Sequence, residues 1–341
     1  MNNNYFICGH FGFEESKIDG QIIKTRNLKT LLEMNGKVRI VDTQKFYKKK
    51  YLDLAISILK NLYWCDDIFI LPNQNGLRFL FPIIYFFNLI LNRKIKYVVI
   101  GGWLPSYIEK KIFLRYLIRN IDKVYVELFQ MRKDLKTIGV RNVVVLPNFR
   151  MIKKNEQNEL NKESPEIKMV FLSRVEKEKG IFTLLEAIKN VKSTRKFCLN
   201  VYGPITNCKD EFFSKISKLD NVNYLGVADP NDVQELLSQY NLFILPTYYK
   251  GEGFPGVIVE SFSAGVPVIA SDWKYNSEII ENGVNGLLFK PKDVEDLTEK
   301  IEYSLDNNEK IIKMGKYALR HSRKFSFEAA NSILFPKHNV T

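Results

Sequence analysis

From about residue 167 the apolar positions alternate between two periods. "IKMVFLS", "KFCLNVYG", "NVNYLG", "NLFILPT" and "VPVIASD" are short apolar runs of strand length. Between them, "GIFTLLEAIKNV", "DEFFSKISKL", "PNDVQELLSQY", "PGVIVESFSAG" and "NSEIIENG" have helical spacing. Near-continuous apolar strands separated by amphipathic helices predict a parallel sheet covered on both faces. That is a doubly wound α/β architecture, with ligands expected beyond the carboxyl ends of the strands.

The first half follows the same grammar. "NYFICGH", "KVRIVDT", "DIFILPN", "IKYVVIGG", "KVYVEL" and "NVVVLPN" read as strands. "GQIIKTRNLKTLLEMNG", "LRFLFPIIYFFNLILNR", "YIEKKIFLRYLIRNI" and "LKTIGV" read as the segments between them. The chain therefore predicts two α/β domains, residues 1–150 and 151–324, facing each other across a ligand cleft. "FRMIKKNEQNELNKESPE" is polar and aperiodic, and it reads as the linker between them.

Phe79–Leu91, "FLFPIIYFFNLIL", is too short to span a bilayer and is followed at once by Arg93, Lys94 and Lys96. It fits a helix lying on an anionic membrane surface. It also fits a core helix, and the broad faces that doubly wound helices turn to their sheet favour that placement.

Charge sharpens the division into halves. Residues 1–150 carry 25 Lys and Arg against 12 Asp and Glu, whereas residues 151–341 carry 26 against 26, so the whole excess of +13 lies in the first half. Such a field attracts anionic partners. The basic residues are scattered and have no interleaved stacking aromatics, which argues against nucleic acid. Cys8, Cys65, Cys198 and Cys208 form no C-x-x-C pair, the pattern of a reducing cytoplasm rather than a disulfide framework or zinc site. "MNNNYFICGHFGFEES" has no basic segment followed by an apolar one, so no secretory signal is expected.

The candidate chemistry lies in "EGFPGVIVE", Glu252 to Glu260. It follows an apolar strand, and Pro255 suits the first turn of a helix. The unpartnered N–H groups and dipole of that turn favour an anion, and Gly253 and Gly256 let a ligand approach the backbone. Glu252 and Glu260 would then meet hydroxyls on either side of a phosphate, which is the layout of a nucleotide-sugar. After the strand "IKMVFLS", the turn "RVEKEKG" places Arg174 and Lys179 at the same sheet edge, where they can neutralise a diphosphate.

"FLSRVEKEKGIFTLLEAI", "NVNYLGV" and "EGFPGVIVESFSAGVPVIASDWKYNSEIIENGVNGLLF" resemble the donor-binding half of glycosyltransferase family 4, retaining enzymes of the GT-B fold. The resemblance covers roughly residues 167–325. The trailing "KMGKYALRHSRKFSFEAANSIL" is similar to the family's closing helices, the last of which, about 325–341, packs back on the first domain.

The resemblance implies that Arg174 and Lys179 hold the donor diphosphate, that Glu260 binds the ribose and that Glu252 binds the transferred sugar. Backbone amides at Gly253, Phe254, Gly256 and Val257 would cradle phosphate and sugar. Gly20 stands where many members have two adjacent glycines in the first strand-to-helix loop, and it is counted with the donor contacts. Many members also carry a histidine after a middle strand of the first domain. Here that place reads "VVIGGWLPSY", which leaves His10 and Trp103 as the acceptor-side candidates.

The activity implied is a metal-independent, retaining hexosyltransferase with a UDP- or GDP-linked donor and no cofactor. The basic half and the apolar segment suggest a lipid-diphosphate-linked saccharide acceptor in capsule, O-antigen or exopolysaccharide synthesis. The expected location is the cytoplasm, peripheral at the inner face of the membrane. Two alternatives stay open: another GT-B enzyme such as a nucleotide-sugar epimerase, or a non-catalytic glycosyltransferase-like binding subunit.

Overall fold

The computed structural model describes residues 3–13, 20–43, 51–152 and 166–336. The chain divides into two compact units, residues 1–149 with 330–341, and residues 150–329. Of the expected linker, residues 153–165 lie outside the described residues.

The first unit is built on β1 (Asn3–Gly9), β2 (Gly36–Asp42), β3 (Asp67–Leu71), β4 (Lys94–Val98), β5 (Lys123–Val126) and β6 (Val143–Val145). They pair in the order β2-β1-β3-β4-β5-β6, all parallel. All five residues of β3 are buried, as a central strand covered on both faces requires. Helix Gly20–Glu33 covers the sheet through Ile22, Leu28, Leu31 and Leu32.

Near the C-terminus a helix spans Phe327–Leu334. The residues after it return to this unit, with the Phe335 ring 5.8 Å from that of Tyr5. Asn331 Oδ1 accepts from Asn35 Nδ2 at 2.7 Å. Of the closing stretch assigned to 325–341, residues 337–341 lie outside the described residues.

The second unit contains β7 (Glu166–Leu172), β8 (Lys196–Tyr202), β9 (Val222–Tyr224), β10 (Leu242–Leu245), β11 (Val268–Ser271) and β12 (Gly286–Phe289). Their order is β12-β11-β10-β7-β8-β9, again all parallel. The chain builds outward from β7 on one side, then restarts at β10 on the other. The β7/β10 junction is therefore the topological switch point, the place at which open α/β sheets generally bind their ligands. Met169, Phe171, Leu199, Val201, Ile244 and Ile269 fill the core between this sheet and its helices.

Two expectations need correcting. "YIEKKIFLRYLIRNI" is not one helix but two, Leu104–Ile108 and Ile112–Arg119. Lys111 breaks it at φ −110°, ψ 80°, and the Arg115 guanidinium donates to the freed carbonyl of Glu109 at 2.9 Å. The core placement of Phe79–Leu91 holds for one face only. Its helix, Gln74–Leu91, buries Leu77, Phe81 and Ile84, while Phe79, Ile83, Phe86 and Ile90 stay exposed. The periodicity reading passed over helix Tyr51–Trp64, strand β12 and helix Val294–Asp306.

Candidate functional site

The switch point of the second unit is locked together by backbone contacts before any side chain is considered. After β7 the chain runs through Arg174 into a short 3₁₀ turn, Lys177–Lys179, closed by Gly180. Gly180 has φ +79°, and a Cβ there would lie 2.0 Å from the carbonyl oxygen of Pro246. Only glycine combines that dihedral with so close an approach. The Tyr248 N–H donates to the Glu178 carbonyl at 2.8 Å, tying the loop after β10 to the loop after β7. The loop after β11 braces it from the far side. Trp273 Nε1 donates to the Tyr249 carbonyl at 2.8 Å, and Ser271 Oγ donates to the Thr247 carbonyl.

On this frame the charged side chains converge. Lys179, only 8% exposed, donates through Nζ to Glu252 Oε2 at 2.6 Å. Thr247 Oγ1 donates to the same oxygen at 2.8 Å. The Lys179 ammonium also lies 4.8 Å from the centre of the Tyr249 ring, and the Arg174 guanidinium carbon 5.2 Å from it. Both distances are within cation–π range. Arg174 is far more open, with 45% of its side chain exposed, and its Nη2 contacts Glu176 Oε1 at 3.0 Å. Thr206 Oγ1, from the loop after β8, donates to the other oxygen of Glu176 at 3.1 Å.

Gly253 and Phe254 lead into helix Gly256–Ser263, with Pro255 as its N-cap. Pro255 adopts φ −64°, ψ 113°, and supplies no side-chain cap. The amides of Gly256 and Val257 therefore open the helix, the position at which an anion is favoured. Phe254 is buried and its ring packs edge-on against Phe325 at 5.2 Å, which anchors the helix entry. Glu260 lies on the same helix, and its Oε1 accepts from Arg150 Nε at 2.6 Å.

The second unit thus brings Arg174, Lys179, Glu252, Gly253, Phe254, Gly256, Val257 and Glu260 onto one edge of its sheet and one helix. Gly20, His10 and Trp103 belong to the first unit. Gly20 is the first residue of its helix, and a Cβ there would meet nothing within 4 Å. His10 Nδ1 lies 3.7 Å from Asp42 Oδ1 at the ends of β1 and β2. Trp103 is half-buried, its Nε1 donating to the Ile100 carbonyl at 2.8 Å and its ring packing on Tyr107.

Sequence reading passed over Thr247, Tyr249, Glu176 and Arg150. The first two precede Glu252 directly in "PTYYKGE", so their position after a buried strand was a usable signal. Arg150 lies 110 residues from Glu260, and no local spacing connects them.

Two six-stranded parallel sheets, each doubly wound with helices, place the chain in the α/β two-domain GT-B class of folds. The structure of HepE from Anabaena, solved in complex with UDP, has the same fold, with a TM-score of 0.75, 18% identity and 98% of each chain covered. Residues 152–321 match the family model "Glycosyl transferases group 1".

Two curated relatives frame the family context. One is a 41.2 kDa protein of the cps region of Klebsiella pneumoniae, 33% identical over 148 residues, or 43% of this chain and 39% of that one. The other is the N,N'-diacetylbacillosaminyl-diphospho-undecaprenol alpha-1,3-N-acetylgalactosaminyltransferase of Campylobacter jejuni subsp. jejuni serotype O:2. It is 29% identical over 196 residues, covering 56% of this chain and 50% of the relative. The chain thus spans half or less of the length of these two proteins.

Proposed function

We propose that this protein is a retaining glycosyltransferase that moves a hexose from a UDP- or GDP-linked sugar to a saccharide acceptor. One observation carries the reading. At the β7/β10 switch point, two cations, a nearly buried carboxylate and the start of a helix converge, and residues 152–321 match a glycosyltransferase family.

In this reading the diphosphate lies against the amides of Gly256 and Val257, with Arg174 and Lys179 meeting its charge. Donor binding draws the Lys179 ammonium from Glu252 toward the phosphate. The released carboxylate, still held by Thr247, accepts hydrogen bonds from the hexose hydroxyls. Glu260 faces the ribose and remains oriented by Arg150. As the bond from C1 to the phosphate oxygen lengthens, positive charge grows at C1 and negative charge on the diphosphate. Fixed donors aimed at the leaving oxygen stabilise that separation. The acceptor hydroxyl attacks C1 from the face the diphosphate leaves, passing its proton to a departing phosphate oxygen, so configuration is retained. Glu252 and Glu260 orient hydroxyls and do not act as the acid/base pair of a glycoside hydrolase. The leaving-group charge is met by fixed cations, where other transferases use a metal ion.

The acceptor in this reading is a lipid-diphosphate-linked saccharide, supported by the name of the Campylobacter relative and the cps-region source of the Klebsiella one. Capsule or O-antigen assembly on the cytoplasmic side of the membrane is the setting this implies. The test is to incubate the purified chain with a panel of UDP- and GDP-sugars, with and without bacterial lipid extract. Released nucleotide is quantified, and the anomeric configuration of the product is read by NMR. Acceptor-dependent release with retained configuration is expected. Nucleotide release no faster than the spontaneous rate with every donor, or an inverted product, would overturn the reading.

A further inference from the structure

The two helices that departed from sequence expectation share an exposed face. In Gln74–Leu91 the outward positions Phe79, Ile83, Phe86, Phe87 and Ile90 follow helical spacing, opposite the buried Leu77, Phe81 and Ile84. They are 62%, 46%, 51%, 38% and 84% exposed, in that order. In Ile112–Arg119, Ile112, Phe113 and Tyr116 are 74%, 54% and 60% exposed, while Leu114, Leu117 and Ile118 are buried. The rings of Phe86 and Phe113 stack with centroids 6.4 Å apart, so the two outward faces form one continuous apolar surface. A soluble domain rarely leaves such a patch without a partner.

Charge identifies the partner. Residues 74–120 contain eight Lys and Arg and a single acid, Glu109. Arg78, Lys110, Lys111 and Arg119 are exposed, and Arg115 is partly so. Lys111 sits with its ammonium 3.2 Å from the Tyr107 ring centre, and Arg78 with its guanidinium carbon 5.1 Å from that of Phe79. Cations flanking an apolar crest suit a layer with negative headgroups above hydrocarbon. A second copy of the chain on a two-fold axis would instead set these cations against themselves.

Helix Gln74–Leu91 is long and apolar enough to cross a bilayer by length and composition. Its inner face, however, is committed to its own unit, with the Phe81 ring 5.6 Å from that of Tyr97 on β4. Insertion across a bilayer would strip that face from the sheet.

We propose that the outward faces of helices Gln74–Leu91 and Ile112–Arg119 dock the protein flat on an anionic phospholipid bilayer. The aromatic and aliphatic crest enters the headgroup boundary, and the flanking Lys and Arg contact lipid phosphates. The surface lies within the first unit and uses none of the charged residues at the β7/β10 switch point, so it stands or falls apart from the transferase reading.

The test is co-sedimentation of the full chain with vesicles of phosphatidylcholine alone and of phosphatidylcholine mixed with phosphatidylglycerol. The chain is expected to partition onto the mixed vesicles and to be released by high salt. Phe86→Asp and Ile90→Asp should each lower that partition about tenfold, since each places a charge at a lipid-facing position. Both side chains are exposed, so melting temperatures should be unchanged. Lys110→Glu with Lys111→Glu should also lower partition at least tenfold, at about 1 kcal/mol for each basic residue near the surface. This second variant decides the matter should an apolar replacement fail to fold. Equal partition on neutral vesicles, no partition at all, or full retention by the variants would each overturn the proposal. So would a wild-type dimer that Phe86→Asp converts to monomer, since the face would then be a self-association surface.

Discussion

Lys179 and Glu252 are 73 residues apart in the chain, yet their side chains meet at 2.6 Å at the end of the second sheet. Both are almost buried, with side chains 10% and 12% exposed. A pair so placed carries a desolvation cost that a packed apolar pair would avoid, and that cost is understandable where both charges have work to do with a ligand. In Glu252→Gln the amide still packs beside Thr247, while on the proposed reading the hexose would lose its carboxylate acceptor. Transfer should fall at least a hundredfold, about 3 kcal/mol in activation terms. Calorimetric titration with UDP or GDP should give an affinity within a few-fold of the wild type. Loss of nucleotide binding in step with activity would show that Glu252 is not a sugar-side group.

Arg174 and Lys179 should separate in a way their burial dictates. Each is expected to contribute a charge-assisted hydrogen bond to the diphosphate, roughly 1.5–3 kcal/mol, or about ten- to a hundredfold in nucleoside diphosphate affinity. Arg174, nearly half exposed, has little structural duty, so Arg174→Ala should weaken binding without moving the melting temperature. Lys179→Ala should weaken binding and also lower stability, because Glu252 is left buried without its cation. Titration and thermal unfolding of the two variants, run side by side, check both halves. Unchanged affinity in both would remove the phosphate clamp.

The fold was legible because its signals are local. Runs such as "DIFIL" and "NLFILPT", short and bounded by turn residues, read as buried strands, and Gly180 after "RVEKEK" reads as a helix boundary. The candidate donor site was legible for the same reason, since strand end, turn and helix start follow one another within a dozen residues. Contacts set by tertiary placement were not legible. Arg150 reaches Glu260 only because the chain returns there after β6, and Lys24 reaches Glu127 across 103 residues. The helix Gln74–Leu91 misled because both of its faces are apolar. Periodicity reports that a face is hydrophobic without saying whether protein or something else will cover it.

Gly180 offers a test of the frame rather than of the charges. In Gly180→Ala, a Cβ would have to enter the space of the Pro246 carbonyl, 2.0 Å away, in a left-handed conformation that alone costs about 1–2 kcal/mol. The backbone of one loop must shift, moving Lys179 relative to Glu252. Stability should drop by more than the dihedral cost, and nucleotide affinity should fall although no ligand-facing atom has changed. Denaturant unfolding and titration measure the two effects. An alanine variant as stable as the wild type would show that the β7 and β10 loops are not locked here.

His321 predicts a pH dependence. Burial holds its imidazole below the ordinary value of 6.5, and Lys324 adds to the effect while Glu281 opposes it. Its ring packs between Phe262 and Phe325, the residue that also supports Phe254. Because the folded state holds the proton less well than the unfolded chain, no penalty applies above pH 6.5, where both are neutral. As pH falls below 6.5 the unfolded chain takes up the proton first, so stability declines until the folded-state pKa is passed. His321→Gln should flatten this part of the curve measured by denaturant unfolding at a series of pH values. An identical slope in the variant would assign the effect to other groups.

The most deeply buried ion pair described lies in the first unit. Lys24 Nζ contacts Glu127 Oε1 at 2.7 Å, with side chains 1% and 2% exposed. Each partner is also tied to the loop after β4, Lys24 through the Val99 carbonyl at 3.3 Å and Glu127 Oε2 through the Gly101 N–H at 3.0 Å. The pair therefore fixes the loop that carries Trp103. Removing one member takes from the other its ion-pair partner at 2.7 Å in the interior. Lys24→Met and Glu127→Leu should each destabilise the protein by about 3–5 kcal/mol. The double variant removes both charges of the pair, and two apolar side chains of suitable length can fill the space. Its loss should be well below the sum of the two, the remainder being the Gly101 N–H and Val99 carbonyl left without their side-chain partners. A denaturant-melt cycle over the four proteins measures the coupling directly. Strict additivity would mean that the two charges stabilise the unit independently, and that the loop after β4 is held by something other than their contact.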